Sequence, residues 1–474
     1  MIQSKSLKFF MKFSYGGLIS AGLSFLSTPI ITALVLPNEF GKASMLILAF
    51  SLLINFVQLG VDQSFVRFFY QKKYENNTNL LLTNSIIIPL ILTFISIIVI
   101  CLVGDQISFL LIDKVNKEVP VLLSSLLLVG LIERFSTLLI RMNQKGILFS
   151  NLKIIQSLVN IIIVILYAKF IESSFLAIVY GTLLSTALVA MLGIIIEREY
   201  WNKISEINKQ DIKEILKYGL PFVPTFLISW IFEGIDKLAL KYYSNFNEIG
   251  LYTAAYKIVA ILTILQITFS NFWVPISYEA YEKKSSESKD LFQNVFNGLS
   301  GVFFILAIII ISLKDVIILL FAKNYANATV IVPFLIFMPI MYTLSEITVG
   351  GINFKNKTYW HLIISIISGL VNIVGVYILV PIYGAIGASI STGFAYIVFF
   401  YTRTFISNYY FPLDFKILKT TMATIIVLIV AFINTFFQNK LYCMIANFLS
   451  LISIILIYKI ELKIFMMKFL RKEL

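Results

Sequence analysis

Apolar runs of bilayer-spanning length, about 20 residues or more, recur fourteen times along this chain. They lie at 13–35, 43–66, 80–103, 119–140, 147–169, 174–196, 218–242, 249–276, 291–313, 327–350, 359–380, 384–407, 417–437 and 440–460. A bilayer core offers no water to backbone N–H and C=O groups, so each run must close its own hydrogen bonds as a helix. Only 13% of the 474 residues are charged, where a soluble domain carries about 25%. The expected fold class is therefore an all-α polytopic membrane protein of about 14 transmembrane helices. Segments 105–113 and 315–322 are too short to span and are expected at the interface.

The basic residues test this count. With the N-terminus inside, 27 of the 38 Lys and Arg fall on the cytoplasmic side, 8 on the other, and Arg134, Lys237 and Lys257 within spans. Such an alternating excess is the positive-inside pattern, and it places both termini in the cytoplasm. It also accounts for the net charge of +13 without nucleic acid. Cys101 and Cys443 both stand in apolar runs, which leaves no disulfide framework and no metal-ligand spacing. His361, the sole histidine, is read as interfacial. No cleavable signal peptide is read at the start, and the first helix is expected to stay as an anchor.

An internal repeat runs through the spans. Tyr15-Gly16 returns as Tyr218-Gly219, Asn38-Glu39-Phe40-Gly41 as Asn247-Glu248-Ile249-Gly250, and Gly181, Ser185 and Thr186 as Gly387, Ser391 and Thr392. The offsets stay between 203 and 209 residues. Six spans separate equivalent points, so the halves have the same orientation. Parallel repeats of this kind place a substrate site between two lobes. The expected division is an N-terminal lobe at 1–196, a cytoplasmic linker at 197–217, a C-terminal lobe at 218–410, and an appendage at 411–474 with the last two spans and a basic tail.

Charges inside the spans point to function. Lys217–Glu279 holds two spans joined by a short polar turn, yet it carries Glu233, Asp236, Lys237 and Lys257. A charge at the centre of a membrane helix costs at least about 2.5–3.5 kcal/mol. Glu233, Asp236 and Lys237 share one helix face, and Glu233 and Lys257 lie at similar depth on adjacent antiparallel spans. Two readings stand: an ion pair that lets the helices insert, or part of a water-filled substrate cavity. Glu133, Arg134 and Glu346 are embedded elsewhere. Four embedded acids against three cations do not by themselves make a cationic cavity.

Other features have plainer explanations. Pro221 and Pro224 are expected to bend or loosen the start of span seven. Trp273, Pro275 and Tyr278 read as an aromatic belt closing span eight, and the glycines of spans one and twelve as close packing.

The stretches YGLPFVPTFLISW, DKLALKYY and NEIGLYTAAYKIVAIL resemble the start of the second half in polysaccharide flippases of the Wzx type. These belong to the multidrug/oligosaccharidyl-lipid/polysaccharide exporter superfamily. Leu36-Pro37-Asn38-Glu39-Phe40-Gly41 and Leu59-Gly60-Val61-Asp62 resemble the family's opening, and Val380–Ala388 its loop before span twelve. The resemblance implies two six-helix lobes around a central cavity, working by alternating access. It implies a polyprenyl-pyrophosphate-linked oligosaccharide as substrate, a bacterial cytoplasmic membrane, and a polysaccharide polymerase or glycosyltransferase machinery as partner. Asp236, Lys237, Tyr252 and Lys257 fall on the family's recurrent positions. The chain departs from the pattern in span one, which carries no charge.

A pyrophosphate headgroup needs cations in a low-dielectric cavity. The candidates are Lys257, Lys237 and Arg134, with Arg67 and Arg141 nearer the entrance; Glu233, Asp236, Glu133 and Glu346 are candidates for ion pairing or coupling. No cofactor is expected beyond a coupling ion, H+ or Na+. A drug/cation antiporter of the same superfamily is the runner-up, although spans 1, 3, 5 and 6 lack interior acids. An embedded polymerase or glycosyltransferase is a third reading, for which no loop is large enough to form a catalytic domain.

Overall fold

The computed structural model describes residues 2–74, 77–203, 205–283, 286–437 and 439–470, with the side chains of all of these except 2–14, 229, 233, 283, 286–288 and 464–470. Internal packing divides the chain into two compact units, Met1–Gly234 and Ile235–Leu474. The first contains α1 (Ile2–Leu34), α2 (Pro37–Gln58), α3 (Val61–Phe68), α4 (Thr78–Leu102), α5 (Gly104–Ile112), α6 (Glu118–Met142), α7 (Gly146–Phe170), α8 (Phe175–Ile196), α9 (Arg198–Trp201), α10 (Lys209–Gly219) and the first half of α11 (Val223–Tyr243). The second holds the rest of α11, then α12 (Phe246–Lys283), α13 (Ser286–Ile318), a 3-10 stretch at Lys323–Val330, α14 (Val332–Leu335), α15 (Phe337–Thr348), α16 (Gly350–Phe354), α17 (Tyr359–Tyr383), α18 (Ala385–Tyr410), α19 (Ile417–Phe436) and α20 (Lys440–Leu470).

Among the described residues, 13 helices are long and apolar enough to cross a membrane, and 14 if a pair bent by 51° at residue 331 is counted as one span. The bend interrupts the run expected at 327–350. Pro333, in the first turn after the bend, has no backbone donor to give to the preceding turn, so no straight helix continues through residue 331. The segment 105–113 is the short α5, as its length dictates.

Several boundaries differ from the sequence reading, among them the end of α13, which runs to Ile318 and so into the segment expected at the interface at 315–322. The second span is α2, Pro37–Gln58, rather than 43–66. Pro37 occupies its first turn, where the missing N–H costs nothing. Leu59 and Gly60 then take positive φ, 49° and 70°, and stop it. A Cβ on Gly60 would stand 2.3 Å from the Gly219 carbonyl oxygen, so only glycine fits. Span eight does not close at an aromatic belt either. α12 continues through Pro275 to Lys283, and Trp273 is buried with its ring edge-on to Phe292 at 5.2 Å.

The stretch 197–217 carries α9 and α10, and both pack on the first unit. Asn208 caps α10 by accepting from the Gln210 N–H at 2.9 Å. Ser64 donates to the Ile215 carbonyl at 2.7 Å, and Lys73 pairs with the buried carboxylate of Asp211. The hydrogen bond to Asp211 raises the Lys73 pKa above its ordinary value. That stabilisation is complete below the ordinary lysine pKa and fades only as pH rises past it. Pro221 stands in the 3-10 turn at Leu220–Phe222 and Pro224 in the first turn of α11; beyond them, Trp230 donates to the Leu48 carbonyl and to Ser51 Oγ, each at 3.1 Å. These bonds tie the first half of α11 to α2.

The repeated Asn-Glu-x-Gly motif has a structural cause. In the first unit Glu39 accepts the N–H of Phe175, the first residue of α8, at 3.0 Å. In the second, Glu248 accepts the N–H of Ala385, the first residue of α18, at 2.9 Å. Each carboxylate satisfies an orphan donor at a helix N-terminus, where negative charge is also favoured by the peptide dipoles. Gly384 at φ +53° lets the chain reach the Glu248 carboxylate, which would lie 2.9 Å from a Cβ. The two C-terminal helices dock on the second unit: Tyr458 of α20 lies against Gly301 of α13, and Thr435 of α19 donates to the Val330 carbonyl at 2.9 Å.

Gly60→Ala is expected to destabilise the first unit by at least about 2 kcal/mol, combining left-handed strain with forced overpacking. The apparent melting temperature in detergent should fall by about 4–8 °C; an unchanged value would contradict the Gly60–Gly219 contact.

Candidate functional site

The second unit gathers a buried oxygen cluster from four helices. Asp236 of α11 accepts from the Tyr252 hydroxyl of α12 at 2.6 Å and from Thr392 Oγ1 of α18 at 2.7 Å. The Asn372 amide of α17 stands 3.4 Å from its other oxygen. All four side chains are buried. Helical rise of about 1.5 Å per residue places Asp236 and Tyr252 about 9–11 Å from the α11–α12 turn. Lys237 follows Asp236 on α11 and is half-buried, as is Lys257 on α12.

Asn372 Oδ1 is buried and receives no hydrogen bond. A carboxylate, an amide oxygen, a threonine hydroxyl and a tyrosine hydroxyl make an all-oxygen set. Such ligands suit a small hard cation or a shared proton rather than a metal needing imidazole or thiolate. Among the described residues no three His, Cys, Asp or Glu side chains converge.

The first unit holds two adjacent ion pairs. Arg134 of α6 donates through Nη2 to Asp62 of α3, whose carboxylate also accepts from Gln63 Nε2 at 2.9 Å. Next to it on α6, Glu133 accepts from Lys153 of α7 at 3.0 Å. Lys153 reaches Gln156 at 3.3 Å, and Gln156 in turn donates to Thr186 of α8 at 3.3 Å. Arg134 and Lys153 both lie about 10–12 Å from the α6–α7 turn, by the helical rise. Arg67 at the end of α3 and Arg141 at the end of α6 are exposed and stand near helix ends.

A further pair lies deep in the second unit. Arg403 of α18 donates through Nη1 to Glu346 and to Ser345 Oγ, both at 2.8 Å. Its guanidinium sits 5.3 Å from the Phe399 ring and 5.9 Å from Tyr342. A cavity of about 20 Å³, room for a single water, opens beside it between Glu346, Trp273 and Asn353. His361, near the start of α17, lies 2.8 Å from Asn353 Oδ1 through Nε2.

The sequence candidates therefore separate. Glu133, Arg134 and Glu346 each find an oppositely charged partner, and Asp236 finds a cluster of neutral donors. The side chain of Glu233 lies outside the described residues, so its pairing with Lys237 or Lys257 is not placed. The partners that sequence reasoning missed are Asp62, Lys153, Asn372 and Arg403. The charge count assigns Lys153 and Arg403 to flanking loops, although both stand inside apolar runs, 147–169 and 384–407. That position was the available signal. Thr186 and Thr392 carry the repeat, but their bonds to Gln156 and Asp236 leave no trace in the sequence.

Known proteins agree with this architecture. The chain matches a solved structure titled "Lipid II flippase MurJ, inward closed conformation" with a TM-score of 0.71 and 18% identity, covering 94% of this chain and 97% of that one. An inward-facing multidrug resistance MATE family transporter of the MOP superfamily matches with a TM-score of 0.58 and 17% identity, over 85% of this chain and 95% of that one. The two-lobe fold is shared with both. The uncharacterized membrane protein MJ1068 of Methanocaldococcus jannaschii is 21% identical over 371 residues, 74% of this chain and 73% of its own length. The profile described as "Polysaccharide biosynthesis protein" matches residues 8–281, more than half of the sequence, and the chain is a multi-pass membrane protein belonging to that family.

Proposed function

We propose that this protein moves a polyprenyl-pyrophosphate-linked oligosaccharide across the cytoplasmic membrane by alternating access, for the assembly of a surface polysaccharide. It acts as a transporter rather than an enzyme, with both termini in the cytoplasm, an orientation that the excess of basic residues in alternate loops supports. The observation that carries this reading is the oriented charge in the first unit. Its Asp62 carboxylate is buried, and its Glu133 carboxylate is more covered than its partner, behind partly exposed cations. Charged groups exposed at that depth require water or a polar ligand in place of lipid. Membership of a polysaccharide family and a fold shared with a lipid II flippase support the same substrate class.

In this reading Lys257, Lys237 and Arg134 receive the anionic headgroup, and Arg67 and Arg141 stand nearer the entrance. Asp236, with Tyr252, Asn372 and Thr392, takes up the coupling ion, Na+ or H+. A cation there supplies the positive partner that Asn372 Oδ1 lacks. Glu346 is held by Arg403, which leaves it a structural partner rather than a coupling group. The polymerase or glycosyltransferases that make and consume the lipid-linked sugar are the natural partners.

Two outcomes test the assignment. Lys257→Ala, at normal abundance, should lower complementation of a flippase-null strain by about tenfold or more, the loss of one charge-assisted contact, whereas Lys257→Arg retains function. Full activity of the alanine variant removes Lys257 from the site. In proteoliposomes, transport by the native chain should respond either to a Na+ gradient at fixed pH or to a pH gradient at fixed Na+. Asp236→Asn should respond to neither, and a variant that kept the native dependence would refute the coupling role.

A further inference from the structure

We infer that Arg134 and Lys153 form a two-point binding site for a phosphoanhydride or phosphodiester in the first unit, continued by Gln156 and Thr186 as hydrogen-bonding groups for the adjoining sugar. This rests on the anionic-headgroup reading above and extends it to a lobe whose first span has no charge.

The argument is one of orientation. The Arg134 side chain is 42% exposed while its partner Asp62 is 3% exposed, and Lys153 is 33% exposed against 14% for Glu133. Each acid thus lies behind its cation. Both cations sit well inside membrane helices, at matching distances from the α6–α7 turn. Hydrocarbon is a poor neighbour for a partly exposed guanidinium or ammonium, and an anionic oxygen is a good one. Arg134 offers a planar fork suited to one phosphate. Lys153 offers a rotatable point charge suited to a second. Its bonds at 3.0 and 3.3 Å to Glu133 and Gln156 are the contacts that an incoming phosphate would exchange. Beyond Lys153, the half-buried amide of Gln156, backed by the buried Thr186 hydroxyl, offers donor and acceptor groups of the kind that pair with sugar hydroxyls.

The full chain in detergent is titrated with farnesyl pyrophosphate, inorganic pyrophosphate and farnesol, following intrinsic tryptophan fluorescence. The native protein should bind farnesyl pyrophosphate well above farnesol. Lys153→Gln should weaken both pyrophosphate ligands about tenfold or more, and Lys153→Arg should stay within about threefold of native. Because Lys153→Gln strands Glu133, the pair Lys153→Gln with Glu133→Gln is measured alongside it; the pair leaves no orphaned charge and should show the same loss. Tighter binding of farnesyl than of inorganic pyrophosphate identifies the lipid headgroup as the natural source. Equal binding identifies free pyrophosphate, and the site stands in both cases. Native affinity in the paired variant, with Lys257→Ala still weakened, overturns the Lys153 site and spares the headgroup reading. A native chain that fails to distinguish farnesyl pyrophosphate from farnesol removes both.

Discussion

Everything in this molecule follows from the cost of placing charge where there is no water. A lone ion in the bilayer core is expensive, so the described embedded acids are each met by a cation or by several hydrogen-bond donors. Asp62 meets Arg134, Glu133 meets Lys153, Glu346 meets Arg403, and Asp236 meets Tyr252, Thr392 and Asn372. The same arrangement recurs nearer the helix ends. Glu197 is buried under Lys145, Asp211 under Lys73, and Glu461 under Lys416 and Lys419. In every one of these end pairs the carboxylate is hidden and the ammonium remains accessible, because a long aliphatic stem lets the head reach polar surroundings.

The internal repeat serves the same economy of polar groups. A helix that begins near the membrane surface leaves backbone donors without partners. In each unit a glutamate four residues or fewer past a helix break is spent on one of them, Glu39 on α8 and Glu248 on α18. The motif survives in both halves as sequence because the same orphan N–H exists in both. Span one shows the converse: it is uncharged, and it is held to α7 by small polar contacts, with Tyr15 donating to Asn151 at 2.6 Å and Gly16 lying against Ser150.

Much of the fold was legible, because a bilayer reduces the options to helix and the hydropathy of each run is unambiguous. Helix ends were less so. The stop at Leu59–Gly60 depends on a contact with Gly219, some 160 residues away, and no local pattern announces it. The bend at residue 331 was not read: 327–350 stood as one run, although Pro333 lies just past the break. The site was legible by residue type but not by pairing. Counting embedded charges gave an excess of acid, and that sum conceals the relevant quantity, namely which member of each pair is covered. Lys153 and Arg403 escaped because loops were favoured as the place for basic residues. Asn372 escaped because one asparagine in an apolar helix has no sequence signature for the carboxylate it reaches.

The covered-acid arrangement also sets how far these cations make themselves felt. An isolated ammonium attracts anions with an energy falling as the inverse of distance. An ammonium backed by its own carboxylate is a dipole, and its pull on a distant anion dies away one power faster. Arg134 and Lys153 are thus almost invisible from bulk solution, so small anions are not gathered from afar to occupy them. In the proposed reading, a charged group delivered to their surface on a membrane-anchored tail meets the full attraction only at contact, which would make selection a matter of delivery in two dimensions rather than capture from three.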